Sequence, residues 1–176
     1  AHSVGPAVPD LEQKIKDTES GKVLGPNLDG EVVMKGPNIM KGYFKLPGET
    51  AAAFDAEGYF KTGDMGRLDN DGFLSITGRI KEMLIVGGEN VFPREIEEVL
   101  NRHPAVNASG VIGIHDPMRG ELPLAFVEFK EGQNTDEQTL KTWCRDSLAG
   151  YKVPTEIRFV QALPRNPTGK IMRREL

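Results

Sequence analysis

Three stretches of this sequence place chemistry-bearing residues at spacings suited to a reaction. The first is Tyr59-Phe60-Lys61-Thr62-Gly63-Asp64. A glycine lets the backbone turn sharply and brings the following carboxylate out on an exposed tip. A carboxylate held that way accepts two hydrogen bonds from a vicinal diol, as acidic residues do for ribose in nucleotide sites. Taken alone, Thr-Gly-Asp reads equally as an Asx-turn. The second stretch runs from Gly78 to Glu97, GRIKEMLIVGGENVFPREIE. Its charged start is solvated chain at a place suited to pivoting, since a hinge needs only a few residues that absorb φ/ψ change. Gly87-Gly88 offers backbone free of side chains, against which a thin ligand can lie. As plain structure the same stretch is a linker, a strand and a loop before a helix. The third is Leu163-Pro164-Arg165-Asn166-Pro167-Thr168-Gly169-Lys170. Two prolines stiffen the loop, Gly169 permits a turn, and Lys170 is presented at the tip. Lysine is a compact cation suited to charge on a phosphate or acyl oxygen, although a surface lysine taken singly reads as solvated structure.

The elements that position these stretches fall into two halves. Residues 1–78 read as β-structure and turns. EVVMKG (31–36) predicts the first strong strand, a short helix-like stretch follows around Thr50–Phe54, and YFKTGDMGRL is broken by its glycines. Asp69-Asn70-Asp71-Gly72 predicts a tight hairpin turn, with GFLSITG as the returning strand. The character changes near Gly78–Lys81. MLIV (83–86) reads as a buried strand. Pro93 opens a helix whose Ile96, Val99, Leu100 and His103 form one stripe at i, i+3, i+4 and i+7, with acidic residues in its early turns. Val106–Ile114 and Leu124–Phe129 read as strands. Thr135 starts a second helix as a capping box with Gln138. That helix carries Leu140, Trp143, Cys144 and Leu148 on its apolar face and is ended by Gly150. Ile157–Val160 is the last strand. This β-α-β-β-α-β order predicts a small open sheet with two helices packed on it.

Composition narrows the function classes. The chain has 176 residues, enough for one ordinary domain or two small ones. A net charge of -4 gives no basic footprint for nucleic acid. The single cysteine, Cys144, allows neither an internal disulfide nor a thiolate zinc cluster. His2, His103 and His115 lack metal-ligand spacing. No apolar run approaches the roughly 18 residues of a membrane span, and the start shows no signal-peptide pattern, so a reducing, cytoplasmic compartment fits. The lack of an initiator Met and the abrupt MRREL end predict a domain excised from a longer protein. Several sharper motifs fail. Pro164 and Ile171 stand where a Walker loop needs Gly and Ser or Thr. Arg67 and Gly78 stand at the first and last ligand positions of an EF-hand around Asp69–Gly72. Gly87-Gly88 does not extend to a GxGxxG fingerprint, and no GxSxG or HExxH occurs.

In order, the three stretches resemble the closing signatures of the adenylate-forming superfamily, which comprises acyl- and aryl-CoA ligases, luciferase-like enzymes and peptide-synthetase adenylation domains. YFKTGD is similar to its Y-x-T-G-D, GRIKEMLIVGGENVFPREIE to its hinge segment, and PRNPTGK to its terminal lysine loop. GPNIMKGYF and FDAEGYFKTGD also sit where that family has comparable stretches. The likeness covers essentially the whole chain. It implies an α+β fold: residues 1–78 as the β-rich end of the large AMP-binding domain, and 79–176 as a small mobile C-terminal domain with a short sheet and flanking helices. It implies a reaction in which ATP activates a carboxylic acid, of fatty type, as acyl-AMP and CoA then displaces AMP. Asp64 binds the ribose hydroxyls of ATP or AMP, and Arg79 the same ribose and the phosphate region. Asn90 lies near the phosphate, Lys81 is the hinge, and Lys170 bridges the α-phosphate and the substrate carboxylate. Gly87, Gly88 and Glu89 form the pantetheine tunnel after a domain rotation, and Tyr151 and Lys152 match positions that hold the CoA nucleotide in some relatives. Ile85 departs from the lysine of plant coumarate-ligase-type hinges, so that subfamily is not assigned. The phosphate loop, the acyl pocket and the Mg2+ ligands are expected in an N-terminal domain missing from this chain. On that reading the fragment alone is inactive. Two other readings are an acyl-AMP ligase or carrier-loading adenylation domain without CoA, and a stand-alone nucleotide- or protein-binding module.

Overall fold

The computed structural model describes residues 3–176, so His2 lies outside the described residues. The chain divides into two compact units, Ala1–Lys81 and Glu82–Leu176. The fold is α+β, with a β-rich first unit and a second unit of sheet and helices. Among the described residues no helix is long and apolar enough to cross a membrane.

The first unit is an antiparallel sheet of β1 (Glu12–Lys16), β2 (Gly30–Lys35), β3 (Phe60–Leu68) and β4 (Leu74–Arg79), in that spatial order. A short helix of about two turns, α1 (Pro47–Ala53), lies between β2 and β3. Its core is Ile15, Val32 and Leu74. Two expectations are corrected here. Structure begins earlier than residue 31, because EQKIK forms β1 despite having one aliphatic residue. Lys16 is buried there at 7% exposure, and its ammonium sits 2.7 Å from Asp55 and 3.0 Å from Glu57. The Asp55 carboxylate holds the Lys16 pKa above its ordinary value, so the pair replaces the apolar alternation by which strands are recognised. The glycines do not break β3 either. Gly63, at φ +71°, is absorbed as a register shift between Glu31 and Val33 on the partner strand. A glycine is what such a bulge requires. The hairpin turn stands as expected: the Asp69 carboxylate accepts from the Asp71 and Phe73 N–H groups.

The second unit contains β5 (Leu84–Val86), β6 (Glu89–Val91), α2 (Pro93–Asn101), β7 (Val106–Asp116), β8 (Gly120–Phe129), α3 (Glu137–Arg145) and β9 (Glu156–Val160). The sheet runs β6-β5-β8-β7, and β9 adds to β8 in parallel. Strand alternation divides the core between two faces. Ala125 and Val127 of β8 join Ile96, Val99 and Leu100 of α2 and Leu140 and Cys144 of α3. Leu124 and Phe126 point the other way, with Leu163, Ile171 and Leu176 of the C-terminal segment. Leu163 is buried, and Ile171 and Leu176 are partly buried against it; a fully buried aliphatic side chain contributes about 1.5–3 kcal/mol, so the tail is held by the sheet and not merely draped on it.

Three local expectations for this unit are revised. β6 is an added strand, formed because Leu84–Val86 pairs back on Glu89–Val91. The α3 cap is Asp136, one residue past Thr135, and it accepts from the Thr139 N–H at 2.8 Å and the Thr139 hydroxyl at 2.7 Å. The helix stops at Arg145, well before Gly150, which instead opens a 3-10 turn over Gly150–Lys152. Trp143 is partly exposed, with its indole N–H donating to the Val99 carbonyl at 2.9 Å.

Gly66 tests the packing of the first sheet. A Cβ there would lie 2.6 Å from the Ser75 carbonyl oxygen and 3.0 Å from Val32 Cγ2. Neither atom is the free end of a long side chain, so Gly66→Ala should destabilise the protein by about 1–3 kcal/mol. A urea denaturation midpoint equal to that of the unsubstituted protein would refute this account of the sheet.

Candidate active site

In the first unit Asp64 and Arg79 are paired across β3 and β4. The Arg79 Nε lies 2.9 Å from Asp64 Oδ1, with the Asp64 side chain 29% exposed and the Arg79 side chain 55% exposed. Asp64 is therefore not on a turn tip, as the sequence led one to expect, but on a bulged strand. The bulge is fixed on both sides. The Thr62 hydroxyl donates to the Val32 carbonyl and accepts from the Asp64 N–H, and the Gly63 N–H donates to Glu31 Oε1. The result is a carboxylate and a guanidinium held side by side at the surface, an arrangement able to take a diol at the acid and an anion at the base.

In the second unit Lys170 is exposed at the tip of a turn built around one side chain. Asn166 Oδ1 accepts from the Thr168 N–H at 3.1 Å, the Thr168 hydroxyl at 2.8 Å and the Lys170 N–H at 2.8 Å. The Asn166 N–H donates to the Lys170 carbonyl at 2.9 Å, and Arg165 Nη1 donates to the Gly169 carbonyl. The backbone under Lys170 is thus fixed while its ammonium faces solvent. Lys170 borders a shallow depression of about 400 Å³ together with Arg94, Glu97, Asn101 and Arg173.

Gly87 and Gly88 form the two-residue turn of the β5–β6 hairpin, with φ +62° and +89°. Positive φ at both central positions is the demand of a type I′ turn, which only glycine-like residues meet readily. A Cβ at either glycine would meet nothing within 4 Å, so their faces are open. The Gly87 N–H is tied to the Arg119 carbonyl at 2.7 Å. Glu89 and Asn90 follow on β6 and are exposed. Tyr151 is exposed in the 3-10 turn after α3, and its neighbour Lys152 is already engaged: its ammonium lies 2.9 and 2.7 Å from the two oxygens of Glu95. Lys81 is exposed in the 3-10 turn Ile80–Glu82 and is the last residue of the first unit. Among the described residues no group of three or more His, Cys, Asp or Glu side chains is placed to hold a metal ion.

Sequence reasoning passed over the residues that hold these groups in place. Glu128 of β8 anchors the start of the tail, accepting from the Leu163 N–H at 2.9 Å and the Asn107 side-chain amide, with Arg165 at 3.6 Å. Arg173 reaches the carboxylates of Glu82 and Glu97. Asn166 stood inside a quoted motif without a role, and an Asn two residues before a Thr-Gly is the one signal that pointed to its turn. Nothing in the pattern marked Glu128, Glu97 or Arg173.

Residues 95–170 match the family described as AMP-binding enzyme C-terminal domain, and residues 1–44 match AMP-binding enzyme. The chain is 49% identical over 158 residues to a 2-succinylbenzoate–CoA ligase of Geobacillus kaustophilus, covering 90% of this chain and 32% of that protein. It is 42% identical over 174 residues to a long-chain-fatty-acid–CoA ligase of Bacillus subtilis, covering 99% of this chain and 31% of that protein. Among solved structures, ATP-bound MatB from Rhodopseudomonas palustris superposes with a TM-score of 0.93 at 38% identity, over 99% of this chain and 35% of that one. The chain spans about a third of the length of the relatives it matches.

The anchor at Glu128 makes a pH prediction. Burial pushes its carboxyl up, but the Leu163 N–H, the Asn107 amide and the Arg165 guanidinium outweigh burial and hold it below the ordinary 4.5. A carboxylate lowered on folding stabilises the fold above its unfolded pKa and loses that contribution as pH falls through the folded value. At neutral pH, Glu128→Gln should lower stability by about 1–3 kcal/mol. The gap should close as pH drops well below 4.5, read by urea unfolding across the acid range. A gap independent of pH would show that the charge of Glu128 plays no part.

Proposed function

We propose, from the premise that this chain belongs to the family of AMP-binding, adenylate-forming enzymes, that it is the C-terminal part of an ATP-dependent acid–CoA ligase. The whole enzyme joins a carboxylate oxygen to the α-phosphate of ATP and releases pyrophosphate. The CoA thiolate then attacks the acyl carbon and releases AMP. The relatives are named for unlike acids, 2-succinylbenzoate and long-chain fatty acids, so the substrate is a carboxylic acid, and no residue of this chain favours a fatty one.

The observation that carries the reading is Lys170, an exposed ammonium on a turn whose backbone is fixed by Asn166. Adenylation brings two anions together. A positioned cation that neutralises their charge in the transition state does the most where repulsion is greatest. Asp64 receives the ribose diol through the lone pairs that Arg79 leaves open, and Arg79 faces the phosphate region. Residues 1–78 then form the end of the large AMP-binding domain, and 79–176 the small domain that turns on Lys81. For the second half-reaction, Gly87, Gly88 and Glu89 offer open backbone to the pantetheine arm, and Asn90 a polar group near the phosphate. Tyr151 lies ready for the CoA nucleotide. Lys152 serves a CoA phosphate only by exchanging Glu95 for another anion. Mg2+ is expected with the triphosphate, but among the described residues the carboxylates form no group of three or more able to seat it. Its ligands, the phosphate loop and the acid pocket are assigned to the part of the relatives' length that this chain does not span. The one thiol, Cys144, is buried and pushed up to about 11, so it stays inert beside the CoA chemistry. A cytoplasmic setting suits both substrates.

In the full-length enzyme, Lys170→Ala should lower ATP–pyrophosphate exchange by about 10²–10³-fold while thioester formation from supplied acyl-AMP is spared. Equal loss of both half-reactions would sink the role of Lys170, and acyl-AMP formed without any transfer to CoA would favour an acyl-AMP ligase instead. Substituting Lys81 by Pro should slow the thioester step more than adenylation. Normal rates in both steps would remove the hinge assignment. The 176-residue chain alone should show no exchange.

A further inference from the structure

Arg173 lies three residues beyond Lys170 and joins two carboxylates that precede it by 91 and 76 positions. Its Nε and Nη2 make a fork on Glu97, at 3.0 Å to Oε1 and 2.6 Å to Oε2, and its Nη1 lies 2.5 Å from Glu82 Oε2. Glu97 is 8% exposed and also accepts the Val111 N–H at 2.8 Å. One side of the guanidinium is therefore locked to α2 and β7. The other holds Glu82, the first residue of the second unit and the neighbour of Lys81. Between Arg173 and Lys170, Ile171 bridges back to Arg165 and packs in the second core cluster, and the Met172 N–H donates to the Pro164 carbonyl at 2.8 Å. An unbroken series of hydrogen bonds and packed side chains thus runs from Glu82 to the turn that carries Lys170.

Resting on the proposed ligase reading, we propose that Arg173 and Glu82 are positioning residues for adenylation: their ion pair ties the start of the lobe to the Lys170 turn, so that the lysine arrives at the reacting centre in one fixed place. The geometry divides the labour within the pair. The Glu97 arm is buried and holds the tail in the fold. The Glu82 arm, with its side chain 31% exposed, adds registration between the junction and the lysine. Severing the Glu82 arm should leave the fold standing and blur the position of Lys170. Displacements of about an ångström at a reacting centre are worth up to about 100-fold in rate.

The test uses the full-length enzyme with Glu82→Ala, Glu82→Asp and Lys170→Ala, alone and combined, in both half-reactions. Glu82→Ala should lower the kcat of ATP–pyrophosphate exchange by about tenfold, leave the KM for ATP within about twofold, and spare thioester formation from supplied acyl-AMP. Glu82→Asp should restore part of the loss. In the Lys170→Ala background, Glu82→Ala should cause no further loss, because its effect passes through that lysine. Equal losses in both half-reactions that track a lowered melting temperature would overturn the proposal and leave Glu82 a structural residue. So would a full additional loss in the Lys170→Ala background, or wild-type exchange in Glu82→Ala. The two layers separate cleanly. If Lys170→Ala itself leaves exchange intact, the ligase reading of Lys170 fails. If Lys170→Ala abolishes exchange and Glu82→Ala does not alter it, only the positioning role is lost.

Discussion

Glu97 is a carboxylate in the interior of the second unit, and a buried carboxylate must be matched by charge and by hydrogen-bond donors. An aliphatic residue would fill the same place on α2 without obligations. Glutamate instead requires the Val111 N–H from β7 and a guanidinium from somewhere, and the only one brought to it among the described residues is that of Arg173. This demand fixes the end of the chain. After β9 the chain has one regular feature, a 3-10 turn at Arg173–Glu175, so its course is set by side chains. Glu128 takes it at Leu163, Asn166 folds it back, and Glu97 receives it at Arg173. Breaking a buried pair of this kind typically costs about 3–5 kcal/mol, because one charge is left alone. The position of Lys170 is a consequence of that penalty as much as of its own turn.

Exposure separates the ion pairs that hold the fold from those free to do something else. Asp64–Arg79 and Arg94–Glu98 lie at the surface, where a pair is worth about 0–1 kcal/mol. Stability therefore does not account for Asp64 and Arg79 being held at close range across β3 and β4. Lys16 with Asp55, and Arg173 with Glu97, are the opposite case. There the charges are enclosed and the stability argument is sufficient.

The sequence made the second unit more legible than the first. Helix α2 announces itself by Pro93 and a stripe at helical spacing, and β7 and β8 by their clustered apolar residues. Each of these signals comes from burial on one side or both, which is what hydrophobic periodicity reports. β1 was hidden because its buried end is a lysine paired with Asp55, and β6 because three residues of a hairpin carry no period. The glycines of β3 were read as breaks because a bulge and a turn ask for the same residue. For the candidate site, the turns at Lys170 and Gly87-Gly88 were legible and the supports were not. The same turn chemistry misled at Gly63, since Asp64 lies on a bulged strand. Glu128, Glu97 and Arg173 hold the tail through contacts that span 35 to 91 positions of sequence, and no local pattern encodes a contact at that range.

On the proposed reading, a lobe that serves two successive reactions must present two tips without softening either. The Lys170 turn and the Gly87-Gly88 turn meet this condition by being stiff for separate reasons. One is organised by an amide side chain, the other by paired strands and a tie to the Arg119 carbonyl. Neither borrows a hydrogen bond from the other, so a ligand taken at one does not have to reorganise the second. On that reading flexibility is required only at the residues before Glu82, of which Arg79 and Lys81 are exposed, where few contacts are lost when a dihedral changes. A pivot of that kind is useful only if what it carries is rigid, and the Glu97–Arg173 fork supplies that rigidity at the chain's loosest end.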